Sequence, residues 1–162
     1  MVKIILAVSA LIFILSSLYL SYPRADRYFN SHGYSISSSD IKAVQLIAQE
    51  AGSGDYIVLA NQQVGAAAVR EFGLKKYYHG DLFYYSIQTG YPLYSYYLKM
   101  LDTPTKDIMN QALDYAGVNQ GYFVVDKYWW AAKKIVLEAK LQAEAYVTID
   151  GGEVYVFKYE RE

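Results

Sequence analysis

The sequence predicts an α/β domain: a small open sheet of about four strands, with a parallel core and a C-terminal antiparallel hairpin, flanked by helices and preceded by one N-terminal transmembrane helix. Three observations predict it. Two short, nearly all-apolar runs, DYIVLA at 55–60 and GYFVV at 121–125, are separated by helical patterns, as strands buried on both faces would be. The turn Asp150-Gly151-Gly152 divides 145–149 from 153–159, a hairpin signal because glycine supplies the positive φ such turns need. Residues 4–20, IILAVSALIFILSSLYL, carry no charge.

That uncharged run is seventeen residues long. At about 1.5 Å per residue it covers about 26 Å, the lower edge of what crosses a hydrocarbon core. Tyr19 and Tyr22 stand where an interfacial aromatic belt belongs, and Lys3 reaches water at the other end. A cleaved signal peptide is the rival reading. Against it, Ser17-Leu18-Tyr19 and Tyr19-Leu20-Ser21 each put a bulky tyrosine where cleavage requires a small residue. Residues 1–22 therefore read as an anchor whose partner is the lipid bilayer, and 23–38 as a linker broken by Pro23 and Gly33. Residues 39–162 read as an α/β extracytoplasmic domain of a single-pass membrane protein.

Within that domain Ser39 is the expected cap of a helix with Ile41, Val44, Ile47, Ala48 and Ala51 on a 3.6-residue repeat, ended by Gly52 and Gly54. The strand 55–60 follows, then a helix over 63–72 that stops at Gly73. Pro92–Asp102 has a helical pattern. Thr103 and Pro104 open another helix, with Ile108, Ala112, Leu113 and Ala116 on one face and Gly117 at its end. After the strand 121–125 comes a longer helix over 128–143, then the hairpin. The order α-β-α-α-α-β-α-β-β implies right-handed crossovers and a parallel core.

Composition removes several function classes. The chain has 162 residues, a net charge of −1, and 54% hydrophobic against 19% charged residues. That balance opposes disorder, and it opposes a nucleic-acid partner, which calls for a basic stripe. The absence of cysteine removes disulfides, thiolate catalysis and zinc fingers. His32 and His79 have no ligand partner at i+3 or i+4, so no metal site is assigned. Gly52-Ser53-Gly54 precedes its strand rather than following it, the wrong order for a dinucleotide fingerprint. With no nucleophile–base pair recognisable, neither a catalytic residue nor a cofactor is assigned.

Two constellations remain as candidate ligand- or partner-binding sites. Eight of the 19 tyrosines fall between positions 77 and 97, among them Tyr84, Tyr85, Tyr91, Tyr94, Tyr96 and Tyr97. A cluster this dense in a long connection reads either as an exposed aromatic platform for glycans, lipid headgroups or partner proteins, or as a satellite core with its hydroxyls in water. At the carboxyl ends of the two parallel strands lie Asn61-Gln62-Gln63 and Asp126-Lys127-Tyr128, where open α/β sheets bind ligands, with Asn61, Gln62, Asp126 and Lys127 as the candidates. These polar groups suit a polyol; the plainer reading is ordinary helix capping by Asn61 and Asp126. Of Trp129 and Trp130, one ring enters the core and the other lies on the surface or against lipid, while Lys133, Lys134 and Lys140 read as a solvated helix face.

The segments SSDIKAVQLIAQEAGSGDYIVLANQQ, GVNQGYFVVDKYWW and DGGEVYVFKYE come in an order that resembles the C-terminal extracytoplasmic end of multi-spanning GT-C-type glycosyltransferases, relatives of the protein mannosyltransferases. The resemblance covers nearly the whole chain and implies a tail domain, either separate or at the end of a longer polypeptide. The family's catalytic carboxylate lies in an early loop with no counterpart here, so no catalytic residue carries over. Its polyprenyl-phosphate sugar donor belongs to that missing portion. The expected function is a membrane-anchored, non-catalytic domain docking a glycan or another envelope membrane protein. The alternatives are a small extracytoplasmic enzyme using the strand-end crevice and a structural membrane-anchored scaffold.

Overall fold

The computed structural model describes residues 2–21, 24–26, 35–74 and 76–161, which form six helices and eight strands. Helix α1 (Val2–Ser21) takes up the uncharged run, and every side chain described in it, from 4 to 18, is exposed. Among the described residues no helix is long and apolar enough to cross a membrane. The fold thus supplies the helix expected at 4–20 without establishing the crossing.

The stretch read as a linker carries two short strands, β1 (Arg24–Asp26) and β2 (Ser35–Ser37), paired in parallel. Pro23, His32 and Gly33 lie outside the described residues. Ile36 is fully in the core, so the packed domain begins ahead of Ser39. Ser37 rather than Ser39 caps α2 (Ser38–Ala51). The Asp40 N–H donates to Ser37 Oγ at 3.1 Å, and Asp40 Oδ2 accepts from the Ser37 N–H at 2.8 Å. This is a capping box with aspartate in the place of the usual glutamate. Ser39 is left to donate to Asp150 Oδ2 at 2.6 Å, tying α2 to the hairpin turn.

The remaining elements are β3 (Tyr56–Leu59), α3 (Gln62–Phe72), β4 (Tyr77–Tyr78), β5 (Leu82–Phe83), α4 (Pro92–Asp102), α5 (Lys106–Ala116), β6 (Gln120–Asp126), α6 (Ala132–Ala139), β7 (Ala145–Ile149) and β8 (Val154–Glu160). The main sheet has four strands in the order β3-β6-β8-β7. β3 and β6 are parallel, and β8 is antiparallel to both of its neighbours, so the parallel core and the edge hairpin stand as the sequence predicts. Side chains alternate between two apolar layers. Ile57, Leu59, Phe123, Val125 and Phe157 face α4, α5 and α6, while Tyr56, Val58, Tyr122, Val124 and Val156 face α2 and α3.

Two helices begin later than their sequence pattern predicts. The Thr103 N–H donates to Lys99 O at 2.8 Å, so Thr103 closes α4; Thr105 caps α5 instead. The Lys127 N–H goes across to Glu153 O at 2.9 Å, and turns take the Trp129 N–H to Asp126 O at 3.1 Å and the Ala132 N–H to Trp129 O at 3.0 Å, so α6 is confined to eight residues.

The tyrosine connection corrects one expectation. Its backbone lies along the outer edge of β3: the Val58 N–H donates to Tyr84 O at 2.8 Å and the Ser86 N–H to Val58 O at 3.2 Å. Tyr84 and Tyr85 are drawn into the α2–α3 layer, their rings edge to face with centroids 4.7 Å apart. They are core residues, not a stacking platform. The double substitution Tyr84→Ala/Tyr85→Ala should therefore cost about 3–5 kcal/mol per ring and collapse the thermal transition followed by circular dichroism. Tyr91→Ala, at an exposed position, should leave the melting temperature within error. Equal melting temperatures for the two variants would remove these rings from the core.

Candidate functional site: a crevice at the carboxyl ends of two parallel strands

Parallel pairing sets the carboxyl ends of β3 and β6 side by side, with Leu59 opposite Phe123. From there the chain turns through Asn61 into α3 on one side and through residues 127–131 toward α6 on the other. The gap between the two exits is a crevice of about 430 Å³. Asn61, Gln62 and Gln63 form one wall, Tyr128, Trp129 and Trp130 the other, and Tyr94 and Tyr97 of α4 complete it.

Asn61 holds this end of the sheet together. Its Oδ1 accepts from the Val64 N–H at 2.9 Å, which caps α3. Its Nδ2 donates to Asp126 Oδ2 at 2.5 Å and to the Tyr128 hydroxyl at 2.5 Å, and that hydroxyl donates to Gln63 Oε1. One amide thus joins the start of α3, the end of β6 and the turn after it. Sequence reading picks Asn61 as a cap; the structure makes the same side chain the tie across the crevice floor.

Behind Asn61 lie two carboxyls. Asp126 and Asp40 are 3% and 2% exposed and within hydrogen-bond reach of each other. Oδ1 of each is buried without a hydrogen-bond partner. Burial, and then the Asp40 carboxylate beside it, pushes the Asp126 carboxyl well above the usual carboxylate range, against the smaller opposing effect of the Asn61 amide. Held neutral by that shift, the Asp126 carboxyl can donate a hydrogen bond as well as accept one. Burial, with the Asp126 charge next in effect, also raises the Tyr97 and Tyr128 hydroxyls far above neutrality, so both are hydrogen-bond donors.

The sequence candidates are divided among several places. Asn61, Gln62, Tyr94 and Tyr97 meet in the crevice, and Asp126 lies beneath it. Lys127 turns away to Glu153, 2.7 Å distant, whose carboxylate raises the lysine's pKa. Tyr91 and Tyr96 line a separate shallow groove with Ser95 and Lys99. Sequence reading misses Asp40, and it places Gln63 at the strand end without giving it a role. It places Tyr128, Trp129 and Trp130 at the start of a helix, whereas they stand on a turn that presents them to the crevice. The available signal for Asp40 was the spacing Ser37-Ser38-Ser39-Asp40, a capping box that also points a carboxylate inward.

Among the described residues no group of His, Cys, Asp and Glu is placed to hold a metal ion. The lining offers aromatic faces, amide groups and phenolic hydroxyls, with no charged side chain. Such a set stacks against and hydrogen-bonds a neutral, hydroxyl-rich molecule. No family model, curated protein or solved structure matches this chain.

The raised Asp126 carboxyl has a pH signature. A carboxyl whose pKa is higher in the folded than in the unfolded state contributes fully below its unfolded value of about 4, and loses that contribution as pH rises toward its folded value. In Asp126→Asn the amide donates to Asp40 and accepts from Asn61 without ionising. Urea unfolding at successive pH values should therefore show the parent chain losing stability relative to Asp126→Asn as pH rises from about 4. A stability difference that does not change with pH would show that Asp126 ionises alike in the folded and unfolded chain.

Proposed function

We propose that this chain is a membrane-anchored, non-catalytic α/β domain that docks a neutral glycan in the crevice between β3 and β6, as the tail portion of a GT-C-like envelope membrane protein. The observation that carries the reading is the composition of the crevice: five aromatic rings and three amides converge on a volume within the range of small-ligand sites. The C–H faces of a sugar stack on indole and phenol rings, while its hydroxyls take amide donors and acceptors. Trp130 is 89% exposed, a large apolar surface that gains by being covered.

The same geometry weighs against an enzyme in the crevice. The carboxyls nearest to it, Asp40 and Asp126, lie behind Asn61 and are committed to one another, so neither reaches a bound ligand as acid or base. The anchor is α1. Leu11, Ile12, Phe13 and Ile14, successive residues that point to all sides of that helix, are exposed, and lipid is the solvent that covers such a surface at least cost.

Two measurements test the proposal. On an array of neutral envelope oligosaccharides, followed by tryptophan-fluorescence titration, the chain should bind. Trp130→Ala and Gln62→Ala should each weaken binding up to about tenfold, with unchanged melting temperature. Absence of binding, or binding that neither variant alters, would reject the crevice as a glycan site. For the anchor, the full chain expressed in a bacterium should resist carbonate washing of the membranes and keep its full mass. A soluble product trimmed near Ser21 would show a cleaved leader instead.

A further inference from the structure

The crevice leaves the outer face of α6 unexplained. Ala132, Ile135, Val136 and Ala139 are buried against the sheet. On the opposite side, helical spacing sets Lys133, Leu137 and Lys140 in one stripe, with Trp130, Lys134 and Leu141 beside it. The apolar members of this face are open to solvent: Leu137 is 66% exposed and Leu141 83%. Lys127, Lys133, Leu137 and Lys140 share one shallow groove, and Lys127, Trp130, Lys133 and Lys134 share the next, so basic and apolar groups form one continuous surface. Two carboxylates border it, Glu153 on Lys127 at 2.7 Å and Glu138 at 3.8 Å from Lys134. Lys133 and Lys140 form no ion pair with a described residue; the Lys140 ammonium sits 4.5 Å from the centre of the Tyr146 ring.

We propose that this face seats on an anionic lipid bilayer, with Trp130, Leu137 and Leu141 entering the boundary between headgroups and acyl chains and Lys133, Lys134 and Lys140 against the lipid phosphates. Lysine is depleted from protein–protein interfaces because its long stem loses much freedom when fixed. On a bilayer the stem stays mobile while the charge is still matched. Tryptophan, leucine and lysine on one helix face are the composition of an interfacial segment. The inference does not rest on what fills the crevice or on whether α1 inserts, and Trp130 borders both surfaces.

The chain reports on this face by itself, because Trp129 and Trp130 are its two tryptophans and α1 contains none. The full chain is mixed with vesicles of phosphatidylcholine, alone or blended with phosphatidylglycerol, whose acyl chains carry bromine. Tryptophan fluorescence should be quenched on the anionic vesicles, little on the neutral ones, and recover in high salt. Lys133→Gln and Lys140→Gln should each lower partitioning about fivefold, and Leu137→Ser should lower it too, with circular dichroism unchanged since Lys133 and Leu137 are exposed and Lys140 is only partly covered. Flotation separates the two membrane contacts: a chain that floats on neutral vesicles with unquenched tryptophans is held by α1 alone. Equal quenching on both vesicle types, or quenching that the lysine variants leave intact, would overturn the proposal. No quenching, together with a concentration-dependent dimer broken by Leu137→Ser, would give this face to a second copy of the chain.

Discussion

The domain depends on β6 having no free side. It pairs in parallel with β3 along one edge and antiparallel with β8 along the other, and six of its seven residues are buried. A parallel partner cannot be reached by a hairpin, so the chain between β3 and β6 must cross the sheet, and that crossing supplies the helices that cover both faces. Close packing follows from one residue. A Cβ at Gly121 would lie 2.7 Å from Met109 Sδ and 3.0 Å from Leu113 Cδ2, so α5 rests directly on the strand's backbone. The crevice is a by-product of the same pairing, because two parallel strands ending together leave a gap where their exits diverge.

Charge is handled at the end of that strand rather than within it. Asp126 is the last residue of β6 and is buried, a position where an unpaired carboxylate carries a heavy desolvation cost. Asp40 meets it from the first turn of α2 and Asn61 from the cap of α3. Three element ends are thereby tied through polar atoms in a region otherwise held by apolar packing. Such a network fixes relative positions more sharply than hydrophobic contact does, since a slip of one element leaves a buried group unpaired. The walls of the crevice, Gln63 and Tyr128, are hydrogen-bonded outward from this network. The perturbed carboxyl positions the site without entering it.

The strands and the hairpin were legible because their signals are local. Runs such as YIVL and YFVV have one reading when bounded by glycines and flanked by helical periods, and Asp150-Gly151-Gly152 adopts positive φ throughout. What was hidden depended on contacts distant in the chain. Ser39 looked like the cap from its neighbours, but its hydroxyl is taken by Asp150, more than a hundred residues away. Tyr84 and Tyr85 stand in a connection rich in tyrosine and glycine that reads as surface, until their backbone is found bonded to Val58. The helix that should have begun at Tyr128 starts four residues later because the Asp126 carbonyl captures the Trp129 N–H. Half of the crevice was foreseeable from the strand ends alone; Asp40 and the tryptophan wall follow only from tertiary packing.

The strip of backbone formed by residues 84–86 along β3 has one more effect. A sheet can recruit a foreign strand only through an edge whose amides and carbonyls are unspoken for. At the β3 end those groups on Val58 are occupied by Tyr84 and Ser86, and the rings of Tyr84 and Tyr85 lock the strip in place. Among the described residues, the main sheet keeps its open margin at β7, whose first four side chains are exposed. Intermolecular strand exchange, if this domain is crowded against its own kind, is thereby channelled to a single border on the side of the sheet away from the crevice.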